Sequence, residues 1–201
     1  VAATGWLGHE IAWFEQPVKT HEGWTKHLID DTMIEARTIR TADFTGNGSP
    51  DLLATAAGAN LTAWFEHPGG DASGIWRKHT IDNGVVRPIH GHPVDMDGEG
   101  QPGVVMACGM EKGATSGCVV WYEHGGDPTG EWQRHTICAD LPQAFEAFAA
   151  DLDDDGDQDV GLTMYHGHVL LYENTDGLGD FDGVFVNYDA HGAVSLEIVD
   201  L

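Results

Sequence analysis

Six aspartates fall within the nine residues from Asp151 to Asp159, with Gly156 near the middle of the run. Carboxylates at this density repel one another unless a cation neutralises them, and a hard divalent cation prefers oxygen ligands. Positions 1, 3, 5 and 9 present carboxylates at the spacing of a calcium loop, and they are Asp151, Asp153, Asp155 and Asp159. Gly156 permits the sharp turn that such a loop needs. The pattern predicts a Ca²⁺ site, and its alternative is a solvated acidic turn.

Two further acidic loops repeat the pattern with weaker sets of oxygen donors. The first offers less charge, from Asp43, Thr45, Asn47 and Asp51. The second contributes Asp95, Asp97 and Glu99. Gly103 stands where its ninth-position carboxylate belongs, so we predict a weak or empty site there. An EF-hand is the competing calcium hypothesis, but Leu162 occupies the twelfth position of the third loop, where an EF-hand requires glutamate.

Polar residues that differ from loop to loop occupy the segment before each acidic loop. They are Arg37, Arg40, Arg87, His90, His92, Gln143 and Glu146. His90 and His92 share one face of a predicted strand, because residues i and i+2 point the same way. Such a pair can bind a transition metal or supply a general base, although a solvated or hydrogen-bonded pair is the favoured interpretation. His166-Gly167-His168 lies in a predicted hairpin turn and is a weaker candidate.

Three motifs recur in a fixed order, which indicates internal repeats. The first motif is Trp13-Phe14-Glu15, Trp64-Phe65-Glu66, Trp121-Tyr122-Glu123 and Leu171-Tyr172-Glu173. The second is Trp24–His27, Trp76–His79 and Trp132–His135, with a divergent copy at Phe185–Tyr188. Each acidic loop begins 16 residues after the motif histidine. We predict that the histidines pack or hydrogen-bond within their unit, and that the glutamates bond backbone groups or a neighbouring unit.

Each repeat contains four short strand patterns. Apolar runs such as Leu52–Ala56 and Val104–Ala107 follow the acidic loops, and strands such as Ala36–Ala42 and Phe145–Ala150 precede them. No segment has the apolar spacing of an amphipathic helix. Four antiparallel strands per repeat predict an all-β fold, namely a β-propeller of about four blades. The strand before each acidic loop is then expected to line the central channel.

The acidic loops resemble the Asp-x-Asp-Gly-Asp-Gly-x-x-Asp calcium motifs of FG-GAP/VCBS repeats, and the resemblance covers essentially the whole chain. It implies an extracellular or periplasmic propeller, usually of about seven blades, with Ca²⁺ bound in a loop of each blade. Asp154 stands where that family prefers glycine. We expect residues 1–201 to form a single propeller region of about four units within a longer array, with the remaining blades as partners. A complete four-bladed ring is the alternative. Asp200-Leu201 matches the first two positions of a further acidic loop.

The charge composition excludes two classes of partner. The chain has 33 acidic and 9 basic residues, a formal net charge of −24, and such a surface repels nucleic acid and anionic membranes. No apolar run approaches the roughly 20 residues that span a bilayer. No signal peptide is visible in the chain, which begins at Val1. The expected extracellular or periplasmic location is what the family resemblance implies. Cys108 and Cys118 flank a glycine-rich turn and can pair, but three buried free thiols, including Cys138, are favoured.

Two functions are compatible with these observations. The favoured one is a calcium-stabilised extracellular module that binds carbohydrate or another protein. The alternative is a carbohydrate lyase or dehydratase, because the strand motifs are also similar to those of propeller-built polysaccharide lyases and a fungal aldos-2-ulose dehydratase. Its candidate residues are His90, His92, Arg40, Arg87 and Glu146, with arginine at a carboxylated or enolate-like intermediate and histidine or glutamate abstracting a proton.

Overall fold

The computed structural model describes residues 1–19, 21–110, 116–165, 167–177 and 179–187, and these ranges contain fifteen β-strands. The strands are β1 (Ala2–Gly5), β2 (Glu10–Glu15), β3 (Thr25–Asp30), β4 (Ala36–Ala42), β5 (Asp51–Ala56), β6 (Leu61–Glu66), β7 (Arg77–Asp82), β8 (Pro88–Val94), β9 (Gly103–Cys108), β10 (Cys118–His124), β11 (Trp132–Ala139), β12 (Ala144–Ala150), β13 (Asp159–Met164), β14 (His168–Asn174) and β15 (Phe181–Asn187). A 3₁₀ turn at Ala57–Ala59 is the only helical element in those ranges. The all-β prediction is confirmed.

Consecutive strands pair antiparallel and form four units: unit A (β1–β3), unit B (β4–β7), unit C (β8–β11) and unit D (β12–β15). Units A and B are separate sheets, whereas a single parallel pairing of His90 with Glu146 joins units C and D into one eight-stranded sheet. In every unit the register between the last two strands shifts once, after Ile11, Thr62, Val119 and Val169. In each unit the residue before the shift lies two positions before the first residue of the aromatic–aromatic–Glu motif.

The strand that follows each acidic loop is buried along its whole length. All six residues of β5, of β9 and of β13 are buried. A strand covered on both faces has a nearly continuous apolar sequence rather than an alternating one, and Gly103–Cys108 has that composition. These strands therefore form the interior of units B, C and D.

The hydrophobic core lies between neighbouring units. Ile11 and Met33 before β4 pack with Leu52 and Phe65 of unit B. Trp64 of unit B shares a cluster with the second and third strands of unit C, and Trp121 of unit C shares another with unit D. Each unit thus buries one face against the next, and the first strands β4, β8 and β12 lie side by side.

The repeated tryptophan, histidine and glutamate form one arrangement in units A, B and C. The Trp13, Trp64 and Trp121 rings stack on His27, His79 and His135 at centroid distances of 4.1, 4.3 and 4.2 Å. The packing role predicted for these histidines is confirmed. Each also hydrogen-bonds the motif glutamate of its own unit, namely Glu15, Glu66 and Glu123, at 3.0, 3.1 and 2.7 Å. The prediction that the glutamates bond backbone groups or a neighbouring unit was wrong. In unit D, Tyr188 and the side chains of Phe185 and Asn187 lie outside the described part, as do Asp200 and Leu201.

Candidate functional site

The three acidic loops occupy equivalent places, since each connects the first strand of a unit to its buried second strand. Their sixth residues are Gly48, Gly100 and Gly156, with φ of 82°, 83° and 100°. Only glycine adopts this left-handed conformation without strain, so the predicted turn at Gly156 is confirmed. Asp154 also has a positive φ, of 64°.

The third loop brings three carboxylates into one small volume. One oxygen from each of Asp151, Asp153 and Asp159 lies within 4.8 Å of the others. Asp151 Oδ1 is buried and has no hydrogen-bond partner. A buried anionic oxygen without a partner is energetically unfavourable, and a cation among three carboxylates would satisfy it. The residues present therefore fit Ca²⁺. Asp155 is outside the group of three, and its Oδ1 accepts a hydrogen bond from Asp157 N at 3.0 Å.

The ninth-position aspartate has a structural role that the sequence did not reveal. Asp159 is 3% exposed, and its two oxygens accept hydrogen bonds from the backbone N–H groups of Leu152 and Asn174, each at 2.9 Å. Leu152 belongs to the loop, whereas Asn174 ends the third strand of the unit. The carboxylate thus connects the loop to the far end of the next hairpin.

Asp51 connects its acidic loop to the end of the following hairpin in unit B, as Asp159 does in unit D. Its Oδ2 accepts hydrogen bonds from Phe44 N and Thr45 N, and its Oδ1 accepts one from His67 N at 2.8 Å. Burial raises the pKa of Asp51 above its ordinary value, although these three N–H groups act in the opposite direction.

The first loop satisfies its leading carboxylate internally. Asp43 accepts hydrogen bonds from Thr45 Oγ1 at 3.3 Å, from Asn47 N at 3.0 Å and from Gly48 N at 2.6 Å. Asn47 Oδ1 in turn accepts one from Ser49 N. Within the described residues, the third loop holds the only group of three acidic, histidine or cysteine ligands this close together. The predicted ligands Asp43, Thr45, Asn47 and Asp51 are brought together as a hydrogen-bonded turn.

The second loop lacks the connecting carboxylate, and its backbone leaves no room for one. A Cβ on Gly103 would lie 2.5 Å from Tyr122 O. Asp95 Oδ2 accepts a hydrogen bond from Gly100 N, while Asp95 Oδ1 is buried without a partner. Asp97 Oδ1 accepts one from Glu99 N, so the three predicted ligands do not converge.

Charge crowding changes the acidity of the third loop. The pKa values of Asp153 and Asp157 are raised above the ordinary 3.8, first by local desolvation and then by repulsion from neighbouring aspartates. The Asp153 side chain is exposed, whereas Asp157 is half-buried. Protonation or a cation therefore relieves the same repulsion.

A second candidate site lies across the first strands of units B, C and D. Glu146 on β12 has a side chain only 7% exposed, and its Oε1 accepts hydrogen bonds from Arg40 Nη2 at 3.2 Å and His92 Nε2 at 3.1 Å. Arg40 Nε on β4 also donates to His92 Nδ1 at 3.4 Å. A guanidinium, a carboxylate and an imidazole from three different strands are therefore in contact. We call Arg40, His92 and Glu146 the inner-strand cluster.

His90 is a half-buried neighbour of this cluster. Thr38 Oγ1 donates its hydrogen to Ile89 O at 2.8 Å. The contact of 3.1 Å between Thr38 Oγ1 and His90 Nδ1 is therefore assigned as a hydrogen bond in which His90 Nδ1–H is the donor. Its ring lies 4.9 Å from that of Phe145. Burial lowers the pKa of His90 to about 4, with Glu146 acting in the opposite direction. His90 and His92 therefore have different partners, and neither belongs to a group of possible metal ligands among the described residues.

The remaining predicted residues lie apart from the cluster. Arg87 Nη2 is 2.7 Å from Glu35 Oε2, and Arg87 Nε donates to Met110 O. Arg37 lies over the Trp6 ring, 4.8 Å from its centroid. Gln143 accepts a hydrogen bond from Tyr165 N through its backbone oxygen. His166 is outside the described residues, so the His166-Gly167-His168 candidate is not described as a pair.

No protein-family model matches the chain, and no curated protein matches it. The similarity to FG-GAP/VCBS repeats accordingly depends on the loop and strand motifs themselves. In the part of the chain that the structure describes, no helix has the length and apolar character needed to cross a bilayer.

Proposed function

We propose that the chain is a calcium-stabilised, propeller-type binding module of an extracellular or periplasmic protein. Three features support the propeller architecture. Units B, C and D are four-stranded antiparallel meanders, their first strands lie side by side, and the hydrophobic clusters fill the spaces between units. Radial packing of such meanders places the first strands around a central channel, which here would be lined by β4, β8 and β12.

The observation that carries the calcium proposal is the buried, unpartnered Oδ1 of Asp151 within a group of three carboxylates. Asp151, Asp153 and Asp159 would hold the ion, and main-chain carbonyls and water would complete a shell of about six to eight oxygens. Calcium here neutralises repulsion and stabilises the loop. Extracellular modules bind calcium with dissociation constants of roughly 10⁻⁴ to 10⁻³ M, which suits a site with few converging ligands.

Thermal unfolding tests the calcium site directly. Chelation should lower the Tm, and added Ca²⁺ should restore it. Asp153→Asn removes one exposed ligand and should abolish the response, whereas Asp154→Asn removes an equal charge outside the group and should keep it. An identical Tm with and without Ca²⁺, or loss of the response in both variants, would refute the site.

The ligand site of the module is proposed to be the inner-strand cluster. Its three side chains come from three units and differ in chemistry, so packing within one unit does not account for them. A guanidinium, an imidazole and a carboxylate provide donors and acceptors for the hydroxyl groups of a carbohydrate or for the polar groups of a protein. A glycan array probed with the whole chain should show binding that Arg40→Ala removes. Arg77→Ala, at an exposed position of β7, is the matched control.

One observation favours the enzyme as a second candidate. Glu146 touches both Arg40 and His92, which puts candidate general bases beside a cation that can bind a sugar carboxylate. A lyase or dehydratase would release an unsaturated sugar, which absorbs in the ultraviolet. Product formation that Glu146→Gln or His90→Ala abolishes would place the enzyme first. Binding of the same sugar without turnover would support the binding module.

A further inference from the structure

Two cysteines face each other at the end of the β9–β10 hairpin. Cys108 is the last residue of β9 and Cys118 the first of β10, and they are direct partners in the antiparallel register. Directly opposed residues have Cα atoms about 4.5 to 5.5 Å apart, within the range of about 4.4 to 6.8 Å that a disulfide spans. We propose that Cys108 and Cys118 are a redox-active pair that closes to a cross-strand disulfide by exchange with a small-molecule disulfide.

The backbone beyond the pair keeps the two strands close. Gly109 and Gly117 are the next residues outward, and a Cβ on Gly109 would lie 2.5 Å from Gly117 Cα. A Cβ on Gly117 would lie 2.6 Å from Cys108 O. The hairpin therefore holds the cysteines in register without intervening side chains. The Cys108 thiol donates a hydrogen bond to Met106 O at 3.9 Å.

The two thiols have different environments, which assigns the order of the reaction. Cys108 is 1% exposed and belongs to the cluster between units B and C, whereas Cys118 borders an open groove of about 570 Å³ that Arg87 and Arg134 also line. The neighbouring Cys108 thiol lowers the pKa of the Cys118 thiol, and Arg134 acts in the same direction. Burial raises the pKa of the Cys108 thiol. Cys118 is thus the attacking thiol and Cys108 the resolving one.

The exchange is balanced with glutathione disulfide as the oxidant. The Cys118 thiolate attacks one glutathione sulfur, the glutathione S–S bond breaks, and one glutathione thiolate leaves while Cys118 carries the other half. Cys108 then loses its proton and attacks Cys118 Sγ, forming the intrachain bond and releasing the second glutathione. Two cysteine thiols are oxidised and one glutathione disulfide is reduced to two glutathione thiols.

Cys138 is excluded as the partner by strand geometry. It pairs with Val119 on β10, and neighbouring residues of a strand point to opposite faces, so Cys138 lies on the other face from Cys118. It packs against the hydrophobic cluster shared with unit D, and its thiol donates a hydrogen bond to Ala139 O at 3.3 Å. All three cysteines are free as predicted, but only Cys108 is buried, and they divide into one pair and one single cysteine.

Native protein treated with glutathione disulfide, alkylated and mapped by mass spectrometry tests the proposal without any substitution. We expect a linked peptide containing Cys108 and Cys118, a mass lower by two hydrogens before alkylation, and alkylated Cys138. The oxidised protein should melt about 5 °C higher than the reduced protein, because the bond restricts the unfolded chain. Three alkylated thiols, glutathione retained on Cys118, or a linked Cys138 would each overturn the proposal.

Two variants sharpen the result. Cys138→Ser should leave the linked peptide and the shift in Tm unchanged. Cys118→Ser should abolish both, and the circular dichroism spectrum of the reduced variant verifies that it folds. Under native conditions, iodoacetamide should modify Cys118 at least about ten times faster than Cys108, because the Cys118 thiol is less buried and more acidic. Equal rates would contradict the assigned order.

Discussion

The third acidic loop and the inner-strand cluster both collect charged side chains, but they balance charge in different ways. In the loop, Asp151, Asp153 and Asp159 carry like charges, and the proposed calcium ion would relieve their repulsion. In the cluster, Glu146 contacts the guanidinium of Arg40 and the imidazole of His92, so the chain supplies a counter-charge and a hydrogen-bond donor of its own. The loop should therefore respond to calcium and the cluster to pH. The four predictions below separate these responses.

The largest effect is expected in the loop, from Asp159→Ala. The substitution leaves the backbone N–H groups of Leu152 and Asn174 without acceptors and should lower the free energy of unfolding by about 3 kcal/mol. Denaturant unfolding with calcium chelated measures this loss. Asp154→Asn, which retains a residue that tolerates positive φ, should change stability by less than about 0.5 kcal/mol. Equal losses in the two variants would contradict the connecting role of Asp159.

The next largest effect is the pH dependence of stability that His90, beside the cluster, should cause. The folded-state pKa of His90 is about 4, below its ordinary 6.5, so the unfolded chain binds this proton more readily. Stability should be highest above pH 6.5 and fall by up to about 3 kcal/mol as the pH drops from 6.5 to 4. His90→Asn keeps a donor toward Thr38 and should remove this part of the slope. An unchanged slope in the variant would assign the pH dependence to other groups.

A smaller loss is expected from Glu146→Gln. The substitution removes the anionic partner of Arg40 and His92, and because Arg40 is partly exposed the loss should be about 1 to 2 kcal/mol. The Ca²⁺-induced rise in Tm should stay the same as in the unaltered chain. Glu131→Gln, at an exposed position, is the charge-matched control. A calcium response that changes with Glu146 would show that the two regions are coupled.

The smallest expected effect is the stabilisation by calcium, which should depend on the third loop and not on the second. At ten times its dissociation constant, calcium should stabilise the chain by about 1.4 kcal/mol. Asp95→Asn should leave that increment intact, since an amide oxygen can still accept the Gly100 N–H and the loop holds no converging group. Isothermal titration of the unaltered chain should fit one site. A second site lost with Asp95→Asn would contradict the difference between the loops.

Much of the fold was predictable because its signals are local. Short apolar runs, turn residues and periodic motifs predicted the strands, and Ala36–Ala42 is a strand with the predicted bounds. The third loop was identifiable from charge density alone. Three carboxylates converge there, although Asp155, which occupied the fifth position of the pattern, bonds Asp157 N instead.

The remaining features depend on contacts between segments that are distant in sequence. Arg87 and Arg40 looked equivalent as channel arginines, but Arg87 pairs with Glu35 and only Arg40 reaches Glu146. The missing carboxylate at Gly103 was visible in the sequence, whereas the approach of Tyr122 O that forbids a side chain was not. The glutamate–histidine pairs likewise required the register of two strands, which no single motif specifies.

The hydrogen bonds of the ninth-position aspartates also set an order of events during folding. Asp51 Oδ1 is bonded to His67 N, 16 residues away, so the acidic loop of unit B is fixed only once the β5–β6 hairpin has closed. Asp159 and Asn174 impose the same requirement on unit D. We expect the three-carboxylate group to assemble late in folding, after the step that limits the folding rate. Calcium bound there should slow unfolding and leave the refolding rate almost unchanged, which makes the ion a determinant of the lifetime of the native state.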